Sequence, residues 1–206
     1  ESKDKEEAFE IYKNRAIEYL VNQYPNEIKE YNSIFNKSIW VTEWNLQISK
    51  TTGNTLLQSL FVANYLLDLM SNPDFSAIEL TTYHNLGGRD LSGSIFRNNK
   101  EEIEVHSTYY PMMMIGKVFQ YEVISIQKET KDELFIYKCY DKHGVELLEY
   151  QIDWKKNQMA LFDKTLEIEN GSVSKIYFFS DNLFDTARVD GKLTLDTVIE
   201  NRYKID

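Results

Sequence analysis

Cysteine is almost missing from this chain: Cys139 stands alone. One thiol cannot form an internal disulfide or a cysteine-based zinc site. Its place in the strand-like run Phe135-Ile136-Tyr137-Lys138-Cys139-Tyr140 predicts a buried, inert thiol. Histidine is nearly as scarce. His84, His106 and His143 are scattered along the chain, and three unclustered histidines predict no metal site. No cofactor is expected, because G-x-G-x-x-G, the phosphate-binding P-loop, the G-x-S-x-G elbow and EF-hand spacing are all missing. Positive charge is in deficit, with 23 Lys and Arg against 33 Asp and Glu, a net charge of −10. That balance argues against nucleic acid and against an anionic membrane surface, since both demand a basic footprint. The longest apolar run falls far short of the ~18 residues that suggest a membrane span. No signal peptide is visible. The chain begins Glu1-Ser2-Lys3 without an initiator Met, as expected of a processed product or a piece of something longer.

What is present suits a globular fold. Hydrophobic residues make up 42% of the 206, and Gly and Pro number only 8 and 3. Aromatics reach 14%, which fits strands and sugar-facing surfaces alike. The pattern changes character near residue 116. Before it, helix and strand signals alternate. Phe9, Tyr12, Ala16, Tyr19 and Leu20 recur at helical spacing and predict a helix from Lys5 to Tyr24. Pro25 should interrupt it, with Asn26 capping a second short helix through Tyr31. Residues 38–45 are β-branched and aromatic and read as a strand. Thr55 to Met70 gives the strongest helix signal, apolar over most of its circumference and so expected to pack against something large. A second strand follows at Ile78 to Tyr83, then a loop at residues 84–88, and a helix from His106 to Val118.

After residue 118, strand signals follow one another at 119–127, 133–140, 145–153, 158–168, 173–179 and 192–203. Turn residues separate them, including Asp141-Lys142-His143-Gly144 and Asn170-Gly171. Short strands in such a series predict an antiparallel sandwich. The fold class is therefore α/β plus all-β, divided into 1–118 and 119–206. The first part poses a problem. Strand-helix-strand is a parallel unit, and two strands do not make a stable parallel sheet. Another chain, a further segment or an assembly must complete it.

Glu43 is the leading chemical candidate. It falls at the C-terminal end of a predicted parallel strand, flanked by Trp40, Trp44 and Asn45. In a (β/α)8 barrel those strand ends carry catalytic groups, and a carboxylate there can serve as a glycosidase nucleophile. The plainer reading is a strand-end Glu paired with a local cation. Tyr83, His84 and Asn85 would face the same mouth from the second strand, Tyr83 as a stacking ring. The Met112-Met113-Met114 cluster reads as core. Tyr137, Tyr140, Tyr150, Trp154, Tyr177, Phe178 and Phe179 could offer rings to a sugar.

These residues carry a resemblance. The chain looks like the C-terminal end of retaining (β/α)8-barrel glycoside hydrolases, and most resembles the α-L-arabinofuranosidases. In that family the seventh strand ends in a nucleophile Glu followed by Trp-Asn, matched by Glu43-Trp44-Asn45. A long apolar helix follows, matched by Leu56 to Met70. The eighth strand ends near an Asn, comparable to Asn85, and Tyr109-Tyr110-Pro111 matches the opening of the last helix. The likeness implies the last βα units of a barrel over 1–118 and a C-terminal antiparallel β-sandwich over 119–206. It implies Glu43 as nucleophile, followed by Trp44 and Asn45 as substrate contacts, and of the residues after the second strand it supports Asn85 best; Tyr83 and His84 are substrate-contact candidates by position, and the family does not reliably carry a His where His84 stands. An arabinose-containing or other plant polysaccharide is the implied partner. The likeness also implies a role in polysaccharide degradation; the Asn-, Lys- and Ile-rich composition fits a bacterial origin, and a secreted, periplasmic or cell-surface place is favoured over the cytoplasm without the compartment being fixed. The family's acid/base lies in an Asn-Glu pair after the fourth strand. The one Asn-Glu pair here, Asn26-Glu27, sits at a predicted helix start and does not fill that role. The chain alone is thus expected to be inactive. Two alternatives stay open: a non-catalytic carbohydrate-binding or structural β-sandwich, and an interaction protein whose apolar helix docks on a partner, with exposed sheet edges favouring assembly into an oligomer.

Overall fold

The computed structural model describes residues 5–46, 52–88, 93–99, 102–165, 172–184 and 196–204. Helix α1 (Lys5–Glu18) runs through a wider π turn (Tyr19–Gln23) into α2 (Tyr24–Phe35). The break expected at Pro25 is a continuation instead. Proline has no N–H and crowds the carbonyl four residues back. The rod absorbs this by widening one turn, so that the Tyr24 N–H donates to Tyr19 O, five residues back. It ends at Asn36, whose φ of 40° is left-handed.

Strand β1 (Ile39–Trp44), helix α3 (Leu56–Ser71) and strand β2 (Ile78–Tyr83) form the predicted unit, with β1 and β2 parallel. Thr55 caps α3, its hydroxyl accepting from the Gln58 N–H at 3.3 Å. A short hairpin, β4 (Phe96–Asn99) and β5 (Glu102–Val105), sits beside β3 (Gly87–Gly88). It precedes α4 (Tyr109–Ile115), which starts three residues later than the sequence suggested and continues as a 3-10 turn to Gln120.

The remaining strands are β6 (Ser125–Lys131), β7 (Leu134–Tyr140), β8 (Glu146–Asp153), β9 (Gln158–Asp163), β10 (Ser172–Phe179) and β11 (Asp196–Lys204). They form one antiparallel sheet in sequential order. Residues 119–124, expected to open the first strand, lie before it. The turn expected at Asn170-Gly171 lies outside the described residues. A sandwich would need a second sheet facing this one. Among the described residues, α3 and α4 supply the covering layer.

Helix α3 is the centre of the molecule, and this explains its apolar circumference. On one side Tyr65 stacks on Trp44 of β1, ring centres 4.2 Å apart. On the other, α3 presents Asn64 and Asp68 to the sheet. The Tyr137 hydroxyl donates to Asp68 Oδ1 at 2.7 Å and accepts from Asn64 Nδ2 at 2.8 Å. Trp154 Nε1 donates to Asn64 Oδ1 at 2.8 Å, and Lys128 Nζ lies 2.6 Å from Asp68 Oδ1. Every polar group in this buried set has a partner, which burial demands. Burial raises the Asp68 carboxyl above its ordinary range, against the opposing pull of Lys128 and Tyr137. Helix α4 joins through Tyr150, whose hydroxyl donates to Met114 O at 3.0 Å, and through Tyr110 stacked on Phe178. Met114 is buried, as expected, while Met113 is exposed. One buried cluster extends from Ala16 to Leu183. Cys139 lies in it, and burial pushes its thiol up to about 12. No helix among the described residues is long and apolar enough to cross a membrane.

Candidate functional site

Strands β1 and β2 are parallel and pair from Ile39 opposite Ile78 to Trp44 opposite Tyr83, with a first register shift between Ile39 and Trp40, so their C-terminal ends share one mouth. Strict alternation along β1 would turn Ile39, Val41 and Glu43 inward together. The register shifts between Val41 and Trp44. This irregularity moves the phase by one residue, as a bulge does. Trp44 is consequently buried and Glu43 faces out, its side chain 67% exposed.

The residues after the two strands lock together. The His84 N–H donates to Trp44 O at 3.0 Å, and His84 Nδ1 lies 2.8 Å from Glu43 Oε1. Asn45 Nδ2 donates to His84 O, and also to Gly93 O at 3.1 Å. Asn45 Oδ1 accepts from the Leu46 N–H at 2.7 Å and from Gln58 Nε2 at 3.0 Å. The Tyr83 hydroxyl donates to the same Gly93 carbonyl. Burial pushes that phenol up to about 12. The peptide between His84 and Asn85 is cis.

Glu43 and His84 are thus brought together with the carboxylate open to solvent. They border a cleft of about 550 Å³ that Tyr19, Tyr24 and Tyr65 also line. Glu43 is the one carboxylate among the described residues lining it. The other expected contacts behave differently. Trp44, 8% exposed, stacks beneath the strands on Tyr65 and meets Tyr83 edge-on at 5.1 Å. Asn45 uses all four of the bonds just given to hold the mouth. Tyr83 points its hydroxyl into the Gly93 loop. Asn85 is half-buried, with its backbone carbonyl accepting from Ile95 and no partner for its side-chain oxygen among the described residues.

Gly93 was not singled out in the sequence. It has φ +68°, and a Cβ there would lie 2.2 Å from Gln58 Nε2 and 2.9 Å from Asn45 Nδ2. A lone Gly between serines reads only as loop, so nothing local marks it. Below the mouth, the Ser107 N–H donates to Asn54 Oδ1 at 2.7 Å and the Ser107 hydroxyl to Thr55 O at 3.0 Å. No group of three metal-ligating side chains occurs among the described residues.

No family model matches this chain, and no curated protein matches it. Solved structures do. The α-L-arabinofuranosidase of Thermotoga maritima, in its arabinose complex, superposes with a TM-score of 0.53 at 12% identity over 100% of this chain. A second arabinofuranosidase crystal structure gives the same 0.53 at 12% identity. The chain spans about half of each, 47%. At that identity the likeness is one of fold. The mixed α/β arrangement with an antiparallel sheet is shared with part of those enzymes.

Proposed function

We propose that the chain is the C-terminal portion of a retaining glycoside hydrolase acting on α-L-arabinofuranosides, with Glu43 as its nucleophile. The observation that carries this reading is the placement of Glu43. Its carboxylate stands at the C-terminal end of a parallel strand, turned out by the register shift and held by His84 at the cleft. Glu43 Oε attacks the anomeric carbon while the leaving oxygen departs with its electron pair. A second carboxyl, ~5–5.5 Å from the first, protonates that oxygen and then deprotonates the water that releases the sugar. Glu27 does not serve: it lies in α2, where its carboxylate accepts from Gln23 Nε2 at 2.9 Å. The acid/base belongs to polypeptide outside this chain, consistent with a span of 47% of the similar solved enzymes.

A dinitrophenyl fluoro-arabinofuranoside tests the nucleophile in the chain by itself. Dinitrophenolate leaves without protonation, so the missing acid is not needed, and the fluorine slows release of the covalent sugar. Intact and peptide mass spectrometry should find one fluoro-arabinosyl group on Glu43, and none in Glu43→Gln. Label on another residue, or an unlabelled Glu43 when the same reagent is given to the protein as isolated from its source, sinks the assignment. The carbohydrate-binding sandwich draws less support. Of the rings that could stack on sugar, Tyr137, Tyr150, Trp154 and Phe178 are fully buried. Tyr140, Tyr177 and Phe179 are half-buried.

A further inference from the structure

The bond between His84 and Glu43 does more than join two strand ends. An ionised carboxylate only accepts hydrogen bonds, so across 2.8 Å it is His84 Nδ1 that carries the proton and donates to Glu43 Oε1. Among the described residues the Glu43 carboxylate has no other hydrogen bond or ion pair. One oxygen is therefore pinned, and the other, Oε2, is left for chemistry. The imidazole is carried on a fixed backbone. The His84 N–H donates to Trp44 O at 3.0 Å, and the His84 carbonyl accepts from Asn45 Nδ2. Both anchors are the residues that follow Glu43 directly, so donor and carboxylate are set against each other from one short stretch of chain.

Imidazole is the side chain that changes charge near neutral pH. The other titratable groups facing it among the described residues keep theirs. Glu43 of β1 is its partner. Tyr19 and Tyr24 of the helical rod and Tyr65 of α3 line the same cleft, and Tyr83 precedes it in β2. Burial raises all four phenols, so they stay neutral there. Charge on His84 then acts in opposite directions on the two halves of a retaining reaction. When Oε2 attacks, a bond forms to the anomeric carbon, the leaving oxygen takes its electron pair, and the carboxylate gives up its charge as an ester. An imidazolium beside it holds that charge back. When the ester breaks, the electron pair returns to Oε2, and the same imidazolium stabilises the carboxylate that leaves. We propose that His84 is the positioning residue of the nucleophile: it directs Oε2 to the sugar, and its protonation slows formation of the glycosyl-enzyme and speeds its breakdown. The inference rests on the reading of Glu43 as nucleophile and adds a control to that site.

The test uses the protein as its source produces it, unaltered and with His84→Asn or His84→Ala. The dinitrophenyl fluoro-arabinofuranoside reads the first half, by dinitrophenolate release and label on Glu43. Azide reads the second: it attacks the anomeric carbon, returns the electron pair to Glu43, and needs neither acid nor base. From about pH 8 to about pH 5.5, wild-type labelling should slow at least about threefold while azide release of the label quickens by a similar factor, the size a half-exposed charge pair allows. His84→Asn, in which an amide N–H stands in for Nδ1 without its charge, should show neither slope. His84→Ala should label about tenfold more slowly than His84→Asn, with half-saturation by the reagent unchanged, as loss of a hydrogen bond to a charged group predicts. Equal labelling by the Ala and Asn variants, or the same pH slopes with and without the imidazole, overturns the inference while leaving Glu43 as nucleophile. An unlabelled Glu43 in every form is a different result: it overturns the assignment of Glu43 itself, and this inference with it.

Discussion

Asn45 shows how a residue chosen for one task can be occupied by another. Its sequence position beside Glu43 suggested a sugar contact, yet its amide joins the ends of both strands to the Gly93 loop. Asn45→Ala should lower stability by about 2 kcal/mol, since it removes several partly buried hydrogen bonds and strands their partners. Gly93→Ala should cost about as much or more, because it puts a side chain at positive φ against Gln58. Urea unfolding of each variant checks both figures, and wild-type midpoints would show that the clamp bears no weight. The strand end and its carboxylate were legible in the sequence. The side chosen by Trp44 was not. Alternation along Ile39, Val41 and Glu43 predicts a buried Glu and an outward Trp, and a one-residue register shift reverses both.

Among the elements, α3 was the most legible, because a helix apolar over most of its circumference must be packed on most sides. Its contacts with the sheet could not be read, since Asn64 and Asp68 look like surface residues until Tyr137 and Trp154 are placed against them. Tyr137→Phe should destabilise by about 1–3 kcal/mol, leaving Asp68 and Asn64 short of a buried partner. Equal stability of the two proteins in denaturant would remove this network as the link between helix and sheet. Strand β6 was misplaced for a physical reason. It is the edge of the sheet, and its sequence Ser125–Lys131 is polar and charged, as exposed edges are. The apolar Phe119 and Ile124 that attracted the strand signal are exposed. At the end of β9, burial works to raise the Asp163 carboxyl, but hydrogen bonds from Thr165, Lys117 and Tyr121 prevail and hold it below the usual range. A depressed acid contributes stability that is present above its unfolded value of about 4 and is lost as pH falls through the folded one. Asp163→Asn should therefore flatten the dependence of stability on pH below about 4. Parallel acid limbs for the two proteins, in urea titrations from pH 5 downward, would contradict this.

At the scale of the whole molecule, the change of pattern near residue 116 suggested two units, and the packing joins them. Fully buried Tyr137 and Phe178 belong to the sheet and Trp154 directly follows β8, yet they meet α3 or α4 through Asn64, Asp68 and Tyr110. The cluster containing them also takes in Ala16 and Leu20 of the first helical rod. A sheet whose inner face is covered by helices cannot keep that face dry when the helices are removed. Exposing several large rings and two orphaned polar partners outweighs the few kcal/mol by which a small domain is stable. Residues 119–206 produced alone should therefore unfold without a cooperative transition and bind a hydrophobic dye, while the 206-residue chain gives one transition that includes both the sheet and α3. A sharp, reversible transition in the fragment would show instead that the sheet holds its own core. The contacts with α3 would then be an interface between two domains and not the inside of one.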